Sequence, residues 1–131
     1  MPFLLDTSVA ILLRDAESDA DRRLAALDSV PALSVVSQVE LEGGVRAKPQ
    51  LAARRRAALD IILAAFPILP FDTACAGGYR QIVEATGFSR RKTVDRMIAA
   101  TALIHRLTLI TLNGADFADV PGLELEVWPA P

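Results

Sequence analysis

Asp6, Glu40, Asp95 and Asp116 are the residues whose types and settings invite chemistry. Asp6 ends the apolar run Pro2-Phe3-Leu4-Leu5 and leads at once into the helix-starting Thr7-Ser8. Glu40 closes the tetrad Ser37-Gln38-Val39-Glu40, after the apolar run 33–36. Asp95 heads the helix predicted over 94–106, and Asp116 follows the run 107–111 and the turn-prone Asn113-Gly114. If the apolar runs are parallel strands, all four acids stand at one sheet edge, where open α/β sheets take their ligands. Carboxylates brought together repel unless a cation sits among them. An all-oxygen set without His or Cys suits Mg²⁺ or Mn²⁺ rather than zinc. Such an ion polarises a phosphodiester and stabilises the leaving oxygen, so the set reads as the parts of a metal-dependent nuclease.

Each acid also has a purely local use. Asp6 suits the cap of the following helix, although Thr7 or Ser8 would serve as well. Glu40 has capping-box spacing from Ser37. Asp95 in a first helical turn complements the helix dipole, worth about 0.3–1 kcal/mol. Its neighbours at helical spacing are Ile98, Ala99 and Ala102, however, and a carboxylate heading an apolar face needs a partner. Asp116 suits a cap after a turn. The convergence of all four is the stronger signal.

The elements that must position them follow from periodicity and punctuation. The run at 2–5 is short and wholly apolar, as expected of a central parallel strand covered on both faces. A helix over 7–14 follows, then an acidic, small-residue stretch at 15–21. A second helix over 21–29 packs through Leu24 and Leu27, and Pro31 stops it. The strand at 33–36 leads into a helix opened by Ser37, ending near Gly43-Gly44 or running on to Arg46. A long helix over 50–66 precedes Pro67-Ile68-Leu69-Pro70, a short strand whose prolines suggest a sheet edge. Asp72 starts a helix to Gly87. After the basic loop 88–92, Thr93 is the expected N-cap of the helix 94–106, which is apolar nearly all round from Met97 to Ile104 and should be buried. Strands at 107–111 and 124–128 complete the chain. Strands alternating with helices predict an α/β fold with a central parallel sheet flanked by helices on both sides, in one domain over 1–131.

Composition narrows the class. The 131 residues suffice for one domain with a real core, and the 52% hydrophobic share, rich in Ala and Leu, favours helices. A formal charge of −2 rules out a polycation, so any nucleic-acid contact must come from a local basic patch. The lone Cys75 allows no intrachain disulfide framework. The N-terminus shows no basic segment followed by a long apolar core, and the most apolar window, 57–71, is interrupted by Asp60, Pro67 and Pro70. A cytoplasmic protein without membrane association is expected.

Together, Leu4-Leu5-Asp6-Thr7-Ser8, the segment 34–41, Asp95 with Ile98-Ala99-Ala100-Thr101-Ala102, and Thr111-Leu112-Asn113-Gly114-Ala115-Asp116-Phe117 resemble the motifs of PIN-domain proteins, and among these the VapC toxins of bacterial type II toxin–antitoxin pairs. The resemblance covers nearly the whole chain, in the family's order. It implies a PIN-like fold and an endoribonuclease dependent on Mg²⁺ or Mn²⁺, with Asp6, Glu40, Asp95 and Asp116 as the catalytic and metal-binding acids. It also implies Thr7 and Asn113 as supporting polar groups, a cognate VapB-type antitoxin, an RNA substrate and a homodimer. Glu42-Gly43 departs from the family pattern. Glu42 lies two residues from Glu40, so on a helix it points elsewhere and is expected at the surface.

A polyanionic substrate calls for cations near the acids. Arg90, Arg91, Lys92 and Arg96 flank Asp95 and are the RNA-binding candidates; a solvated loop is the bland alternative. Arg14 and Arg46 are further groove candidates. Arg54-Arg55-Arg56 fans out around its helix and is expected to be a solvated face. His105 and Cys75 read as structural. Two rival functions remain. An aspartyl-phosphate phosphatase or receiver is disfavoured by Ser8 in place of a second Asp and by the lack of lysine after the late strand. A catalytically silent module binding RNA or protein is disfavoured by the full set of acids.

Overall fold

The structure, a computed structural model, describes residues 2–16 and 19–131. Of the acidic stretch expected at 15–21, residues 17 and 18 lie outside the described residues. The chain runs β1 (Phe3–Leu5), α1 (Thr7–Asp15), α2 (Ala20–Ala25), β2 (Ala32–Ser34), α3 (Val35–Ala47), α4 (Ala52–Ala65), β3 (Ile68–Leu69), α5 (Thr73–Thr86), α6 (Thr93–His105), β4 (Thr108–Thr111) and β5 (Leu125–Val127). The strands form one sheet in the order β3-β2-β1-β4-β5, and every pairing is parallel. The α/β class is therefore as expected. So is the position of the Pro-flanked β3 at an edge, where missing backbone donors cost least.

The chain builds outward from β1 through β2 to β3, then returns to the other side of β1 for β4 and β5. The strand order thus reverses between β1 and β4, and it is outside the strands' C-terminal ends at such a point that open α/β sheets take their ligands. Successive residues of the two central strands feed two separate cores. Leu4 and Leu109 pack with Ile98, Ala99 and Phe117 on one face, whereas Leu5 and Ile110 pack with Val9, Leu41, Leu59 and Trp128 on the other. Burial on both faces explains why these strands are continuous apolar runs rather than alternating ones. α6 is sunk into the first core through Ile98, Ala99, Ala100, Thr101 and Ala102.

Several boundaries differ from expectation for local reasons. The helix after β2 begins at Val35, because Ser34 Oγ accepts from Val36 N at 3.0 Å and caps it. Ser37 and Glu40 are therefore already helical and form no capping box. α3 continues through Gly43-Gly44 to Ala47, in line with the longer of the two ends expected, and Gly44 there lies against the Arg14 guanidinium. α2 is shorter than expected and tightens at its end, with Leu27 N bonding Leu24 O. Thr93 lies inside α6 rather than capping it, and its hydroxyl donates to Ser89 O at 3.3 Å.

The triple arginine is not a free solvated face. Arg55 is bound to Asp15 through Nε and Nη2, both at 3.2 Å, and to Gly44 O through Nη1 at 2.8 Å. Arg14 is buried and grips the same Asp15 carboxylate, with Nε at 3.0 Å. This knot joins the end of α1 to α3 and α4. Arg56 pairs with Glu42 and Asp60, so Glu42 is occupied between helices away from Glu40's partners.

Candidate active site

Asp6 stands where β1 ends and α1 begins. Its backbone N–H still bonds Ile110 O in β4 at 2.8 Å, so the residue is held by the sheet. The residue is 4% exposed, and both carboxylate oxygens are engaged. Oδ1 accepts from Thr7 N at 2.8 Å; Oδ2 accepts from Ser8 Oγ at 2.8 Å and Thr111 Oγ1 at 2.7 Å. Those two hydroxyls in turn accept from the backbone beyond β4: Leu112 N bonds Ser8 Oγ at 3.2 Å, and Asn113 N bonds Thr111 Oγ1 at 3.0 Å. Asp6 is thus sewn across the gap between β1 and β4. A carboxylate offers about four acceptor positions, so three donors leave one open.

Glu40 reaches the same edge from α3. Thr7 Oγ1 lies 2.6 Å from Glu40 Oε1 and 2.8 Å from Ser37 Oγ. A hydroxyl has one proton to give, so Thr7 donates to the carboxylate and takes the proton of Ser37. Ser37 and Glu40 are one helical turn apart and face α1 together.

Asp95 in the first turn of α6 and Asp116 in the 3₁₀ turn Gly114–Asp116 complete the set. Burial, and then the negative charges of Asp6, Asp116 and Glu40, push the Asp95 carboxyl up to about 6, while Lys92 draws it the other way. Asp6, Glu40 and Asp116 therefore all lie within electrostatic reach of Asp95. Among the described residues neither the Asp95 nor the Asp116 side chain has a hydrogen-bond partner, so their lone pairs are free. Still, no three acidic, His or Cys groups of the described residues are already disposed to hold one metal ion. The donors fit a hard divalent cation in kind, through one or two carboxylates at a time with water completing the shell, as Mg²⁺ prefers.

The supporting groups divide. Thr7 is bonded to Glu40 as described, while Asn113 is exposed at the end of β4. Ser8, Ser37 and Thr111 were not singled out from the sequence. The usable signal was a hydroxyl at or beside a strand's C-terminal end: Thr111 is the polar terminus of an apolar strand and is fully buried. Among the cations, Arg90 and Arg91 are exposed and Lys92 is partly so. Arg96 is 3% exposed, and its Nη2 donates to Asp119 Oδ2 at 3.1 Å, leaving Nε and Nη1 without partners. It ties α6 to the segment that follows Asp116 and does not face solvent as Arg90 and Arg91 do.

The pattern of the PIN-domain family matches residues 3–123. The chain belongs to the PIN-domain family. Over 134 residues, 98% of each chain, it is 29% identical to a Rickettsia felis protein named Ribonuclease VapC2. It is 28% identical over 131 residues, again 98% of each chain, to the tRNA(fMet)-specific endonuclease VapC of Shigella flexneri. A crystal structure of VapBC2 from Rickettsia felis, bound to a DNA fragment from its promoter, superposes with a TM-score of 0.84 at 27% identity and covers 98% of this chain and 99% of that one. The acids of this PIN domain stand at the C-terminal edge of its sheet, on both sides of the β1–β4 switch point.

Proposed function

We propose that this PIN domain is a metal-dependent endoribonuclease, the toxin of a VapBC-type pair, restrained in the cytoplasm by a VapB-type antitoxin and working as a homodimer. The observation that carries the reading is the electrostatic convergence of Asp6, Glu40 and Asp116 on Asp95. Full-length similarity to proteins named as VapC ribonucleases supports it.

Asp6, Glu40, Asp95 and Asp116 would hold Mg²⁺ or Mn²⁺. When bound, the ion supplies positive charge to offset that of the scissile phosphate and the leaving oxygen. The chain's own part is orientation. Ser8, Thr111 and Thr7 N lock Asp6 in place; Thr7, supported by Ser37, locks Glu40. Preset carboxylates need no rearrangement as charge develops. Asn113 adds a polar group at the same edge, and Arg90, Arg91 and Lys92 would draw the RNA backbone toward it.

The test is cleavage of RNA by the purified protein with Mg²⁺ or Mn²⁺. Cutting should stop on chelation and in Asp6→Asn, whose circular dichroism should match the parent. Expression without a partner should arrest growth, and a co-expressed antitoxin should relieve the arrest. Undiminished cleavage in excess chelator would refute the metal reading. Folded protein that cuts no RNA with any metal would favour a silent binding module.

A further inference from the structure

The hairpin of α5 and α6 turns through residues 87–92, and beside Arg90 and Arg91 the turn carries an aromatic side chain, Phe88, that the acidic edge does not employ. The two helices are antiparallel: Gly78 lies against Ala100 and Ile104, and Asp72 before α5 senses the charge of His105 at the end of α6. The connecting turn is consequently at the Asp95 end. Gly87, at φ 87°, swings the chain away from α5 in a conformation that favours glycine. The next residue, Phe88, is 70% exposed. The turn beyond it is built rather than loose, because Ser89 O accepts from Lys92 N at 3.2 Å and Thr93 Oγ1 at 3.3 Å, and Arg90 O from Thr93 N at 3.2 Å. Arg90 and Arg91 are exposed and make no side-chain hydrogen bond or ion pair among the described residues, unlike Arg22, Arg56 and Arg80, each tied to an acid. An exposed aromatic ring beside two unpaired guanidiniums is the composition of a single-strand platform, with a face for a base and charges for its phosphates.

We propose that the turn bearing Phe88, Arg90 and Arg91 is a docking platform for unpaired nucleotides flanking the cut, with Phe88 stacking a base and the two arginines holding adjoining phosphates. The inference rests on the ribonuclease reading and adds Phe88, with Arg90 and Arg91, as the residues of this chain that would hold unpaired nucleotides beside the cut. Within a continuous A-form duplex the bases stack on one another and offer no face to Phe88.

The measurement is fluorescence anisotropy of a short labelled RNA, single-stranded or annealed to its complement, in chelator so that nothing is cut. Phe88→Ala should weaken single-strand binding on the order of tenfold and leave duplex binding as it was. Phe88→Trp should retain the affinity, with its indole emission quenched on binding. Arg90→Gln and Arg91→Gln should each flatten the salt dependence of log K by roughly 0.7. Single-strand affinity unchanged in Phe88→Ala would overturn the platform. So would a shift of Phe88→Ala to a smaller species on gel filtration, which would make the ring a protein–protein contact. Wild-type protein that cuts RNA with Mg²⁺ while Phe88→Ala binds it undiminished sinks the platform alone; wild-type protein that neither binds nor cuts sinks the ribonuclease reading with it.

Discussion

The two ends of α1 carry charge on opposite plans. At its C-terminal end Asp15 lies between Arg14 and Arg55, and the Arg14 hydrogen bond leads in holding its carboxyl below the ordinary value. At its N-terminal end Asp6 shares an edge with three further acids, and Asp95 there is pushed the other way, to about 6. The first group is a staple: opposite charges, enclosed, joining three helices. The second is a group of like charges, in which hydroxyls and a backbone N–H fix Asp6 and Glu40 while Asp95 and Asp116 have no such partner among the described residues. On the proposed reading a cation would relieve their repulsion. Removing a charge should therefore have opposite consequences at the two ends.

The largest effect is expected for Asp95→Asn. RNA cleavage should fall by at least about a thousandfold, while the metal-free protein at pH 7 melts higher than the parent, since a buried repulsion has gone. A drop in Tm would mean that Asp95 is a structural partner. Asp15→Asn is the mirror experiment. It leaves Arg14 enclosed with its charge unanswered, at a cost of about 3 kcal/mol in urea unfolding, and activity per folded molecule should be unchanged.

The pH dependence sharpens the contrast. In the folded chain Asp95 keeps its proton up to about 6, against 3.8 for an ordinary Asp. Between these values the folded state holds a proton that the unfolded state has released, so this group's contribution to stability falls as pH rises. The Asp15 contribution is complete above 3.8 and is lost as pH falls through its lower folded value. In chelator, Asp95→Asn should flatten the loss between about 4 and 6, and Asp15→Asn should flatten the loss on the acid side. Mg²⁺ should raise the parent's Tm above pH 6 and much less below it, because the proton competes for the same oxygens.

Smaller effects test the supporting groups. Thr111→Val removes a donor from Asp6 and should weaken Mg²⁺ affinity about 10- to 100-fold by calorimetry, with the fold retained. Smallest of all, Glu42→Gln should leave cleavage unaltered, because Glu42 is occupied by Arg56. A loss of activity there would mean that the wrong glutamate has been placed at the site.

Much of this was legible in the linear chain because it depends on neighbours. Apolar runs ending on Asp6 and Thr111 and the nearly all-apolar stretch at the centre of α6 report burial directly, and the prolines flanking Ile68-Leu69 report a sheet edge. The acids were legible for a related reason: each follows a strand or opens a helix, and parallel strands bring such positions to one edge. The cap of α3 was misplaced because Ser34 and Ser37 are both competent, and only the entry angle from β2 selects Ser34 and frees Ser37 for Thr7. Arg55 and Arg96 were misread as solvated or phosphate-facing because an arginine's length lets it bury or surface from the same backbone position. Which carboxylate it meets, Asp15 or Asp119, is not written locally.

By itself, then, the order of residues determined the sequence of elements and the parallel α/β plan and offered the four acids as candidates, since these rest on periodicity and on chain direction. Only the tertiary structure decided which charges pair and which stay opposed. Those outcomes depend on distances of a few ångströms between segments far apart in the chain, where burial and Coulomb energy change steeply.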